Sequence, residues 1–221
     1  HEDKDPMRLV DKKIAKVVLF LSCAEGIELF GQFADDGTLI NIEEIQKGFS
    51  VNDEEKVEKI REMQEETEKV MDEILAGIPE GAGEKTTADY FRKWLDENMK
   101  IADDAAEKAQ ELDNMGEMLE QVYPYNHLAA LKEKKASILG YGKIFSELCR
   151  RAGINSHVVM GTWNSQWTDG ETYVLCETVI DGQKIYIDAS GAKSKALAGN
   201  RYLTEKEAVS RMTFVDYFEY K

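Results

Sequence analysis

The stretch from Ala136 to Ser190 constrains the fold most, because it fixes a helix, a strand and a hairpin in immediate succession. Ile138, Tyr141, Phe145, Leu148, Cys149 and Ala152 recur at helical spacing, so this part carries one apolar face. Ser137 stands where an N-cap hydroxyl can accept from a first-turn amide. Gly153 stands at the C′ position, where left-handed backbone costs a glycine nothing. The next residues, SHVVMG, alternate and are rich in β-branched side chains, as a strand should be.

Asp181-Gly182 between two apolar runs predicts a hairpin with a type I′ turn. A two-residue loop there pairs Ile180 with Gln183, Leu175 with Asp188 and Tyr173 with Ser190. Side chains alternate faces, so Tyr173, Leu175 and Asp188 share one face and Cys176 takes the other. An inward aspartate needs a hydrogen-bond partner, and Tyr173, diagonal to it, is the expected donor.

The length, 221 residues, suits an accessory segment over 1–51 and one main domain over 52–221. A formal net charge of −15 argues against binding nucleic acid or an anionic membrane surface, since phosphates must be met by clustered Lys and Arg. Cys23, Cys149 and Cys176 show no CxxC spacing, and His1, His127 and His157 are not at ligand spacing from one another. No disulfide framework, metal or cofactor is therefore expected. The apolar run VVLFLSCA is too short to span a bilayer, so it reads as a core segment and no membrane insertion is expected.

Taken in order, Leu9 to Phe30 carries a helical apolar pattern. A long helix follows from Asn52 or Asp53, with Val57, Ile60, Met63, Val70, Met71, Ile74 and Leu75 on its apolar face and Gly77 at its end. A second helix is predicted to start at Thr86 or Thr87, with Ala88, Phe91, Trp94 and Leu95 inward. A third runs from Ala102 to Tyr123, and a short one from His127 to Lys135. After the hairpin, Thr204 and Glu207 form a capping box at a last short helix, and FVDYFEY closes the chain as a strand or ordered tail.

Gly140-Tyr141-Gly142, Ala152-Gly153-Ile154, Asp181-Gly182 and Tyr186-Ile187-Asp188 resemble, in order and spacing, the core motifs of the transglutaminase-like superfamily, relatives of the papain-type cysteine peptidases. The resemblance covers roughly the second half of the chain, and YNHLAALKEKKAS resembles the helix that leads into the family's cysteine. It implies an α+β fold, a helical half packed on a small antiparallel sheet with a central helix. Gly142 stands where the family has alanine and is expected to let a strand come close.

The departures decide the function expected. Ile138 stands at the family's nucleophilic cysteine, Tyr173 at its general-base histidine, and Asp188 alone keeps its type. The chemistry needs a thiolate at a helix N-terminus and an imidazole beside it. Isoleucine offers no nucleophile, and a phenol, with an ordinary pKa near ~10, is a poor base at neutral pH. The resemblance therefore implies a catalytically inactive domain that binds or scaffolds, with an extended peptide or cell-wall peptide as the partner. Tyr173, Asp188 and the loop-flanking Trp163 and Trp167 are the expected ligand contacts, although both tryptophans could instead cover the core. The alternative is a cysteine-dependent peptidase or acyl transferase with a relocated nucleophile, Cys149 or Cys176, the latter served by His157. A third possibility is a domain kept only for assembly. Family habit implies the exterior or surface of a bacterial cell, with the cytoplasm as the alternative.

Overall fold

The computed structural model describes residues 54–102, 128–164, 172–192, 197 and 199–214. The accessory segment 1–51, most of the expected third helix, His127 and Trp167 lie outside the described residues.

Two helices come first, α1 (Glu54–Ala76) and α2 (Glu84–Asn98). Met71 and Ile74 of α1 and Ala88, Phe91 and Leu95 of α2 are buried in one cluster, as their spacing predicts. Gly77 ends α1, and the Tyr90 hydroxyl of α2 donates to the Ile74 carbonyl at 3.0 Å, taking up one of the helix's last acceptors. A Cβ at Gly77 would lie 2.1 Å from that hydroxyl oxygen, so a larger residue there would displace the Tyr90 side chain from its bond to Ile74. α2 starts at Glu84 with Gly83 as N-cap, earlier than the expected Thr86 or Thr87. Thr87 is buried within the helix, its amide bonded to the Gly83 carbonyl at 3.0 Å.

The chain then pairs β1 (Lys100–Ile101) with β2 (Lys135–Ala136) in parallel, on either side of the short helix α3 (Ala130–Glu133). Neither two-residue strand is marked in the sequence. The helix predicted over His127–Lys135 is confined to these four residues because Lys134 adopts left-handed backbone, φ +50°, and closes it.

The central helix α4 (Ile138–Arg151) begins as expected, with the Ser137 hydroxyl accepting from Gly140 N at 3.1 Å. Gly153, at φ +82°, ends it. Behind it lies an antiparallel sheet of β3 (Ser156–Trp163), β4 (Thr172–Ile180), β5 (Gln183–Ile187), β6 (Tyr202–Thr204) and β7 (Met212–Phe214) in the order β6-β5-β4-β3-β7. The last helix, α5 (Glu205–Arg211), carries the predicted capping box between Thr204 and Glu207. The α+β expectation thus holds at this level, helices against a small antiparallel sheet.

α4 lies on β3 and β4. A Cβ on Gly142 would meet Val174 Cγ1 at 2.9 Å, Val158 Cγ2 at 3.4 Å and Cys176 Sγ at 3.6 Å, so that glycine sets the spacing of helix and sheet. The sheet's two faces bury two separate clusters. Cys176, Ile180 and Ile187 join α1, α2 and α4 on one side. Trp163, Tyr173, Leu175 and Tyr186 pack with Leu203, Ala208 and Met212 on the other. Among the described residues no helix is long and apolar enough to cross a membrane.

Candidate functional site

The Asp181-Gly182 turn has φ +51° and +76°, as a type I′ turn requires, and Ile180 pairs with Gln183. The ladder then runs only to Cys176 opposite Ile187. The expected pairs Leu175–Asp188 and Tyr173–Ser190 do not form. The Asp188 amide faces β6, not β4, and donates to the Arg201 carbonyl at 2.9 Å, and the chain bends at residues 189–190.

That bend folds the backbone back over the Asp188 carboxylate. Its Oδ1 receives Gly191 N at 2.9 Å, Ser190 N at 3.1 Å and the Ser190 hydroxyl at 3.0 Å. The Tyr173 hydroxyl donates to the same oxygen at 3.1 Å. Ser190 Oγ in turn accepts from Ala192 N at 3.2 Å and lies 3.1 Å from the Tyr173 hydroxyl, so the two hydroxyls and the carboxylate oxygen form one hydrogen-bonded cluster. Asp-Ala-Ser-Gly favours this turn: an aspartate bonds the amides just after it, and Gly191 supplies φ +67°. Asp188 is 0 % exposed, and its Oδ2 has no hydrogen-bond partner among the described residues. Four donors on one oxygen are what make a buried carboxylate tolerable.

Tyr173 is buried in β4, opposite Gly161 of β3. Its ring lies 5.5 Å from that of Trp163, tilted by 40°. Trp163 is the last residue of β3 and 2 % exposed, which makes it part of the core, the second of the two places its position in the sequence offers. Ile138, the first residue of α4, is half-buried and packs against the cluster that holds Tyr173 and Trp163. Ile138 thus packs on the cluster to which Tyr173 belongs, and Tyr173 is joined to Asp188 by a hydrogen bond. At the start of α4, where the dipole would favour a negative group, the chain presents an alkyl side chain.

The remaining thiols are elsewhere. Cys149 is buried beside Ser156 and Cys176, and that burial pushes its thiol far up. Cys176 donates to the Gly142 carbonyl at 3.4 Å, on the α4 side of the sheet. His157 pairs with Glu177, one residue along from the Val158–Cys176 pair, and so points to the opposite face, where its Nε2 is 3.7 Å from Glu177. Cys176 and His157 are not brought together.

Three residues of this arrangement were not expected at the site from the sequence: Ser190 (expected only as a ladder partner of Tyr173), Gly191 and Arg201. The first two were findable from the Asp-Ala-Ser-Gly turn signature. Arg201 had no local signal.

No family model matches the chain, and no curated protein matches it. A solved structure described as that of a TGase aligns at a TM-score of 0.44 with 20% identity, over 71% of this chain and 40% of that one. The chain thus spans well under two thirds of the protein it aligns with.

Proposed function

We propose that the chain is a catalytically silent member of the transglutaminase-like superfamily, papain-like in its placing of helix on sheet, that binds or scaffolds an extended peptide or protein segment. The observation behind this reading is the enclosed hydrogen bond from Tyr173 to Asp188 beside Ile138 at the head of α4. Acyl transfer by a cysteine enzyme needs a thiolate and an imidazole within hydrogen-bond reach. At the corresponding positions this chain has an alkyl group and a phenol whose proton is committed to a carboxylate. What the chain keeps is a helix start and an aspartate; with Tyr173, Asp188 and Trp163 all buried, a ligand would be met at the partly buried Ile138 rather than at those three.

The double variant Ile138→Cys with Tyr173→His tests the alignment behind the proposal. The introduced thiol is expected to titrate well below ~8.5, the free-thiol value, and to alkylate faster than free cysteine at neutral pH. A thiol no more reactive than free cysteine overturns the alignment. The binding half is tested by titrating the unaltered chain with a panel of extended peptides, alongside Ile138→Arg as a cleft-blocking control. Binding abolished by that variant supports it. No binding to any peptide, or binding that Ile138→Arg leaves unchanged, overturns it.

A further inference from the structure

Arg201, one residue before β6, has a side chain only 12% exposed, and its donors go to two places far apart in sequence. Its Nε donates to the Asp188 carbonyl at 2.8 Å and its Nη2 to the Ala189 carbonyl at 2.6 Å. Its Nη1 lies 2.7 Å from each oxygen of Asp96, on α2. Its own carbonyl accepts from Asp188 N at 2.9 Å, so one residue grips the aspartate's backbone on both sides.

The Ala189 carbonyl and the Ser190 amide belong to one rigid peptide plane. Arg201 binds that plane at its oxygen, and the plane's N–H donates to Asp188 Oδ1 at 3.1 Å. Fixing the one end aims the other. The guanidinium also shapes the next residue: a Cβ on Gly191 would lie 3.0 Å from Arg201 Cζ and Nη1. We propose that Arg201 is the positioning residue of the Asp188 carboxylate, setting the peptide planes that feed it, and that Asp96 on α2 is the anchor holding Arg201 in that role. The geometry of the turn stands alone; its bearing on ligand binding rests on the function proposed above. Through this residue α2 is linked to the turn that holds the Asp188 carboxylate.

A lysine carries the same charge but is a point donor on a flexible stem, unable to span two carbonyls and a carboxylate at once. Arg201→Lys therefore separates positioning from charge. The test is amide hydrogen exchange and ring NMR on the whole chain, for the unaltered protein, Arg201→Lys and Asp96→Asn. In Arg201→Lys the Ser190 and Gly191 amides are expected to exchange about tenfold faster, the equivalent of ~1.4 kcal/mol, while the β3–β4 ladder amides keep their rates. The Tyr173 ring resonances should move with them. Asp96→Asn, which leaves the carbonyl bonds available, should give a smaller change of the same pattern, and it keeps the test open if Arg201→Lys folds poorly. Unchanged exchange at Ser190 and Gly191, or a rise matched throughout the β3–β4 ladder, overturns the inference. The measurement needs no ligand, so a failure to bind peptide refutes only the proposed function, and unchanged exchange refutes only this one.

Discussion

Replacing Tyr173 by phenylalanine removes one hydroxyl from an enclosed carboxylate and leaves the buried ring against Trp163. Asp188 Oδ1 then keeps three donors, Ser190 N, the Ser190 hydroxyl and Gly191 N. A hydrogen bond to a charged group contributes about 1.5–3 kcal/mol, and three surviving donors put the loss at the low end, about 1.5–2 kcal/mol. Asp188→Ala acts from the other side. It takes the carboxylate acceptor from the Tyr173 hydroxyl and leaves it Ser190 Oγ at 3.1 Å, a cost of about 1–3 kcal/mol offset in part because a buried carboxylate is removed. In the double variant the Tyr173 hydroxyl is gone with its acceptor, so the bond between them is not lost twice and the two losses cannot add. Their coupling should be about 1 kcal/mol or more, above the ~0.3–0.5 kcal/mol within which independent sites add. Urea unfolding at neutral pH, followed by circular dichroism, reads all three variants, with the denaturant slope expected to stay constant. A loss under about 0.5 kcal/mol for Tyr173→Phe, or additivity in the cycle, would show that the hydroxyl does not stabilise the carboxylate and would refute the reasoning.

Gly142→Ala should destabilise by about 1–3 kcal/mol, because the new methyl meets Val174 at 2.9 Å and α4 must lift from the sheet; an unchanged urea midpoint would show the spacing to be soft. Burial alone would raise the Glu147 carboxyl, but hydrogen bonds from Arg151 and Arg150, both 2.8 Å, hold it below its ordinary value of 4.5. A carboxyl depressed in the folded state adds stability above its unfolded pKa and loses it as pH falls through the lower, folded one. Melting temperatures below about pH 4.5 should therefore fall less steeply for Glu147→Gln than for the unaltered chain, and parallel acid limbs would contradict this. Cys149 and Cys176, both 0 % exposed, should alkylate no faster than the fold opens; rapid labelling of either near neutral pH would favour the relocated-nucleophile enzyme over the silent domain.

What could be read from the sequence was what neighbours decide. The Ser137 cap, the Gly153 stop, the Asp181-Gly182 turn and the Thr204–Glu207 capping box each depend on a few adjacent residues, and each forms. The close approach at Gly142 was legible for the same reason, one missing Cβ on an apolar helix face. The meeting of Tyr173 with Asp188 followed from face alternation, although the expected ladder ends at Cys176–Ile187, three pairs short of Tyr173–Ser190. Where distant segments decide, the reading failed. β1 pairs with β2 across residues that give no signal, and β6 is a strand only because β5 is beside it. α2 begins at Glu84 rather than at either threonine, and the Glu84 carboxylate accepts from the Asp181 amide in the hairpin turn at 2.5 Å. Arg201 is the strongest case, since its partners are set by tertiary placement alone.

α2 is joined to the β4–β5 turn and to the β6 edge of the sheet by polar contacts of great sequence span. Glu84 meets Asp181 across 97 residues, Asp96 meets Arg201 across 105, and Asp89 meets Tyr202 across 113. The β3–β4–β5 meander closes short loops and can assemble early, whereas this seam must wait for nearly the whole chain and for the entropy of closing it. The order of assembly is thereby built in: sheet first, helical layer fastened last, and the turn bearing Asp188 completed only at that fastening. In pulse-labelled refolding the β4 and β5 amides should gain protection before those of Ser190 and Gly191, and simultaneous protection would mean that the seam is part of the folding nucleus. A chain released before Arg201 is made would hold a formed hairpin whose aspartate still has no settled place.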